Sequence, residues 1–85
     1  MTVEQIEKFL KPAILNKSQV RISFKKRAPI KGIFIKTNDF SELKAKNFWR
    51  IVSESKIDEF AKSKSTELAR IFNGMEMTGL EVQAS

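Results

Sequence analysis

The chain has 85 residues, a net charge of +6, 41% hydrophobic residues with seven phenylalanines, and neither cysteine nor histidine. A chain this short buries only about 60–65% of its unfolded surface, so one domain over residues 1–85 is expected, with a marginal core that oligomerisation would complete. The missing residue types exclude thiol nucleophiles, disulfides, the usual zinc sites and imidazole acid–base chemistry. The carboxylates are scattered without a close pair, so no enzyme activity, cofactor or metal is expected.

The first expected element is an amphipathic helix over about residues 2–11. Val3, Ile6, Phe9, Leu10, Ala13 and Ile14 recur at three- and four-residue spacing. Thr2 offers an N-cap, and Gln5, three residues later, comes close to a capping box. Pro12 would end or kink the helix. The segment MTVEQIEKFL lacks a basic start followed by an apolar run, and no stretch reaches the 18 or so apolar residues of a membrane span. A cytoplasmic protein that does not enter the membrane is the expectation.

After the turn residues Asn16-Lys17-Ser18 the period changes to two. Val20, Ile22 and Phe24 share one face, and Arg21, Ser23 and Lys25 the other, which predicts a half-buried strand. A second strand is expected from about Pro29 to Lys36, with Gly32 marking a bend, a bulge or a close backbone approach. TNDFSELKAKN reads as a polar connection in which SELKAK could form one helical turn. FWRIV is a third strand; Phe48 and Trp49 point to opposite faces, so at least one is core and Trp49 could serve an interface. SESKIDEFAKSKS reads as an extended, variable loop, although Ile57, Phe60 and Ala61 would also suit a helical excursion. TELARIF makes a fourth strand, Asn73-Gly74 the strongest tight-turn signal, and MEMTGLEV a fifth strand. A helix followed by five short strands favours a mainly β fold, a small and strongly bent five-stranded barrel over about residues 19–83.

The charge is segregated along this order. Residues 11–50 hold 11 Lys and Arg against Asp39 and Glu42, whereas residues 1–10 carry a net −1 and residues 51–85 a net −2. Such a block suits a polyanion or an acidic partner, although a Lys-rich hairpin tip also guards a sheet edge against aggregation. Phe40, directly after the turn residues Asn38-Asp39, is placed either to stack on a base at a rim or to plug the barrel end.

Taken together, Phe9-Leu10, the Val-x-Ile strand start at Val20, the bending Gly32 and the turn ending at Phe40 resemble the Sm-like superfamily, and within it the bacterial RNA-chaperone family Hfq. The spacing is similar to that family's without a gap from Phe9 to Phe40, and IFNGMEMTGLEV resembles the second Sm motif. The resemblance implies a bent five-stranded barrel capped by a helix. It also implies homo-oligomeric rings, commonly of six or seven subunits, in which the fourth strand of one subunit pairs with the fifth of the next. It further implies uridine-rich single-stranded RNA on the helix-bearing face, stacked on Phe40, with Asn73-Gly74 in place of the family's pore Lys-His and Gln5 one or two positions from its helix glutamine. On the opposite face the family's tyrosine corresponds to Ser23 and its glycine-containing hairpin tip to Arg27-Ala28, so the base pockets there do not carry over. Arg21, Lys25, Lys26, Arg27 and Lys31 keep that face cationic, which suits sequence-tolerant phosphate contact. The expected function is non-enzymatic binding of single-stranded RNA by an oligomeric ring. The alternative is a structural or interaction module of the same fold that meets an acidic protein.

Overall fold

A computed structural model describes residues 1–11 and 14–83. An N-terminal helix, α1 (Val3–Phe9), leads into one antiparallel five-stranded sheet: β1 (Val20–Phe24), β2 (Ile30–Phe34), β3 (Phe48–Ser53), β4 (Arg70–Asn73) and β5 (Met77–Val82), in the order β4-β3-β2-β1-β5. Two short helices interrupt it, α2 (Phe40–Ala45) before β3 and α3 (Ile57–Ser63) before β4.

The capping box at the start of α1 is present. The Thr2 hydroxyl accepts from the Gln5 backbone N–H at 3.2 Å, and the Gln5 side-chain oxygen accepts from the Thr2 N–H at 2.9 Å. The helix stops at Phe9, two residues short of the expected end, with Leu10 as its C-cap. A kink at Pro12 lies outside the described residues. Ile6 and Leu10 are buried against Val20, Ile22, Phe34, Trp49, Ile51 and Met77, so α1 covers the concave face of the sheet.

Topology forces that concavity. β4 and β5 are the two edges of the sheet, yet only the 3-10 turn Gly74–Glu76 separates them in sequence. In a flat five-stranded sheet the edges would stand about 19 Å apart, whereas the four residue steps from Asn73 to Met77 span at most about 14 Å. The sheet therefore curls, and the rings of Phe24 on β1 and Phe72 on β4 meet with centroids 5.8 Å apart, although two strands lie between them. The curl does not close the hydrogen-bonding ladder, because β4 and β5 do not pair with each other.

Gly32 lies mid-β2, where the neighbouring strand β3 comes close to its backbone. A Cβ built there would lie 2.6 Å from the Val52 carbonyl oxygen and 2.7 Å from Ile51 Cγ2, so the close backbone approach expected of this glycine is the geometry found. β2 pairs with β1 through Ile30–Gly32 and with β3 through Gly32–Phe34. At the far end of β2, Asn16 in the left-handed region (φ 66°) donates its N–H to Phe34 O and accepts from Lys36 N with its side chain.

Two sequence expectations need correction. The stretch 54–63 is not an extended loop but a 3-10 turn (Glu54–Lys56) followed by α3. Ile35 and Val52 are buried on the reverse of the sheet, outside the concave core, and the turn packs on β2 while α3 packs on β3, with Ile57 and Phe60 half-buried. A half-covered reverse face thus selects the helical alternative at Ile57 and Phe60, whose three-residue spacing puts both on one side. Second, the fourth strand begins only at Arg70, with Thr66–Leu68 in a 3-10 turn. The tight turn expected at Asn73-Gly74 is present as a 3-10 turn joining opposite edges of the sheet. No helix among the described residues is long and apolar enough to cross a membrane.

Candidate nucleic-acid interface

The β1–β2 hairpin carries five of the chain's 16 cations. In strands the side chains alternate, so burial of Val20 and Ile22 in the core turns Arg21 outward. Arg21 sits directly across from Lys31 on β2 and from Glu81 on β5. With Pro29, Ile30 and Gln83, Arg21 and Lys31 line an open depression of about 380 Å3. The exposed tip carries Lys25, Lys26 and Arg27, anchored where the Lys25 N–H donates to Glu76 O at 2.9 Å. Arg27 lies over two rings, its guanidinium carbon 5.2 Å from the Phe24 centroid and 5.7 Å from that of Phe72. Among the described residues the ion pairs are Lys44–Glu7 and Arg50–Asp39, so none of these five hairpin cations forms a direct ion pair, Arg21 alone having a carboxylate, Glu81, opposite it on the neighbouring strand. Their field is therefore directed at solvent.

Phe40 opens α2 at a different place. It is half-buried and meets Trp49 edge-on, with centroids 5.9 Å apart and planes at 73°. The ammonium groups of Lys36 and Lys44 stand 5.8 and 5.9 Å from its ring centre, and Lys44 reaches back to Glu7 on α1. The aromatic ring thus has a foot in the core and two cations beside it, which suits an anion whose flat portion meets the ring.

Beside Phe40, Lys36, Thr37, Asn38, Asp39, Arg50 and Thr66 line an open depression of about 480 Å3. Arg50 forks onto Asp39, with Nη2–Oδ2 at 2.7 Å and Nε–Oδ1 at 3.2 Å, and the Thr37 hydroxyl donates to the same carboxylate. The Arg50 hydrogen bond, then that of Thr37, holds the Asp39 carboxyl down to about 2. This pair stiffens the loop before α2 and spends the one acidic side chain beside Lys36. Sequence reading missed it because eleven residues and a helix separate the partners.

The remaining candidates are placed in structural roles. Gln5 is exposed on α1 with its carbonyl oxygen committed to the cap. Asn73 is exposed, and its side chain accepts from Met75 N at 2.9 Å. Gly74 is buried; a Cβ there would fall 2.2 Å from Asn47 Oδ1 and 2.7 Å from Ile6 Cδ1. Its N–H donates to Asn47 O at 2.7 Å, and its carbonyl accepts from the Met1 amino group at 2.9 Å. Asn47, in the left-handed region (φ 63°), is the buried hub of this joint: Oδ1 accepts from Trp49 Nε1 at 2.8 Å and Nδ2 donates to Met1 O. Trp49 is 2% exposed, so it is a core residue and not a free interface side chain. The signal for Asn47 was available, since an asparagine just past a helix commonly takes the left-handed cap.

The candidates therefore fall into a cationic hairpin (Arg21, Lys25, Lys26, Arg27, Lys31), a ring flanked by lysines (Phe40), and a joint that holds α1 to the sheet (Gly74 with Asn47). Among the described residues no cluster of carboxylates is placed to hold a metal ion. No protein-family model, curated protein or solved structure matches the chain.

Proposed function

We propose that the chain is a non-enzymatic, Sm-like protein that binds single-stranded RNA in the cytoplasm, its curled sheet acting as a small barrel within a homo-oligomeric ring. The observation that carries this reading is the set of five hairpin cations, none in a direct ion pair, on a chain whose other charges largely balance. Phosphate contact needs cations that are not already spent, and a ring would repeat the hairpin in every subunit.

Two features support assembly. The outer edges of β4 and β5 are unpaired within the chain, and each exposes a large apolar side chain, Ile71 at 48% and Val82 at 43%. Unpaired edges of this kind are either guarded or used, and pairing β4 with β5 of the next copy would bury both.

The test is a solution mass together with an RNA titration. An assembly of several subunits is expected. Replacing Lys25, Lys26 and Arg27 by alanine lowers affinity for all single-stranded sequences alike, because phosphate contacts carry no base information. A monomer of 9.8 kDa removes the ring. Binding to an acidic peptide with none to RNA replaces this reading with a protein-interaction module.

A further inference from the structure

The curl brings together a cluster that the cationic hairpin and the Phe40 ring do not account for. Phe24 and Phe72, on strands that are not neighbours, stack at an interplanar angle of 36°, and the Arg27 guanidinium lies over both rings. Both rings are half-buried and Arg27 is exposed. Together with Arg70, Ile71 and Glu76 they border an open depression of about 280 Å3.

We propose that Arg27, carried on the Phe24–Phe72 pair, is a stacking site for one unpaired nucleobase of single-stranded RNA, with the adjoining phosphates on Lys25, Lys26 and Arg70. This rests on the RNA-binding reading above and deepens it. A guanidinium is planar and weakly hydrated, so one held over an aromatic pair offers a flat surface on which a base could stack. Bases stack on such a plane as they do on aromatic rings, and every base has a π face, so the site is tolerant of sequence. The charge fits the occupant, because Arg27 and Arg70 line the depression with Glu76 as its one carboxylate, and Lys25 and Lys26 precede Arg27 on the exposed hairpin tip. A lysine at position 27 would supply the same charge without the plane.

The test compares the intact protein with Arg27→Lys by fluorescence anisotropy on a short uridine-rich RNA over a range of salt. The expected result is affinity weaker by about 5- to 100-fold, the range one lost base stack gives, with the slope of log affinity against log salt unchanged. Lys26→Ala, the charge control, reduces that slope by about 0.7. Equal affinity in Arg27→Lys overturns the stacking site while leaving phosphate binding in place. Failure of the wild-type protein to bind RNA overturns both. A change in assembly mass at unchanged affinity per subunit assigns the cluster to subunit contact and overturns the site.

Discussion

Replacing Gly74 by alanine tests the joint that seats the helix on the sheet. The new methyl carbon would stand 2.2 Å from Asn47 Oδ1 and 2.7 Å from Asn47 Cγ and from Ile6 Cδ1. Ile6 Cδ1 is the end of a flexible chain and can rotate away. Asn47 cannot do so without loss: its Oδ1 is the acceptor for the buried Trp49 indole N–H, and its Nδ2 holds Met1 O. Overpacking a tight site costs about 1–3 kcal/mol, and orphaning a buried donor costs about 1–3 kcal/mol more. Partial relaxation makes the whole about 2–4 kcal/mol, a fall in melting temperature of roughly 10–25 °C for a domain of this size. Urea unfolding followed through Trp49 fluorescence measures it, and a double-mutant cycle with Asn47→Gly isolates its cause. With no Oδ1 to strike, Gly74→Ala should cost at least about 1 kcal/mol less in that background. A single-variant cost below about 0.5 kcal/mol, or strict additivity in the cycle, would refute the reasoning.

Gly32→Ala should destabilise by about 1–3 kcal/mol or more, since the obstacle at 2.6 Å is the Val52 carbonyl, a backbone atom that moves only with β3; urea unfolding checks it. The Asp39 carboxyl, held at about 2 by Arg50 and Thr37, lies below its unfolded value of 3.8. Its stabilising share is thus present above pH 3.8 and is lost as pH falls through about 2. Asp39→Asn should flatten the acid limb of a melting-temperature profile over that window, and a carboxyl titration by NMR should place Asp39 well below 3.8. Phe40→Ala should weaken RNA binding by about 1–3 kcal/mol, with some loss of stability from its contact with Trp49; unchanged affinity would leave the ring a purely structural part. Ile71→Glu, on the free edge of β4, should shift the assembly toward a 9.8 kDa species in light scattering while preserving the fold.

Strand alternation made β1 legible: Val20 and Ile22 are buried and Arg21 is exposed, as period two requires. Gly32 announced a close approach, and Thr2 with Gln5 announced a capping box. The reading failed where the deciding partner was distant in sequence. Nothing local in SESKIDEFAKSKS says that Ile35 and Val52 await a cover, so a loop and a helix read alike until the sheet is assembled. The C-terminal stop of α3 is also silent, because Lys64 takes the left-handed cap that glycine or asparagine would have signalled. The charge block around the hairpin was visible from composition. The Arg50–Asp39 fork and the contact of Arg27 with Phe24 and Phe72 were not, since α2 separates the first pair in sequence and only the curl brings Phe24 and Phe72 together.

Titrating the protein with a short uridine-rich RNA from about 50 to 200 mM salt shows whether the hairpin cations meet the phosphates of single-stranded RNA. Five cations each neutralising one phosphate predict log affinity falling against log salt with a slope of about −3 to −4 per subunit engaged. The Lys25, Lys26 and Arg27 triple alanine variant should lose about 2 of that slope. No detectable binding at about 50 mM salt, or binding whose slope is indifferent to those three residues, would contradict the account.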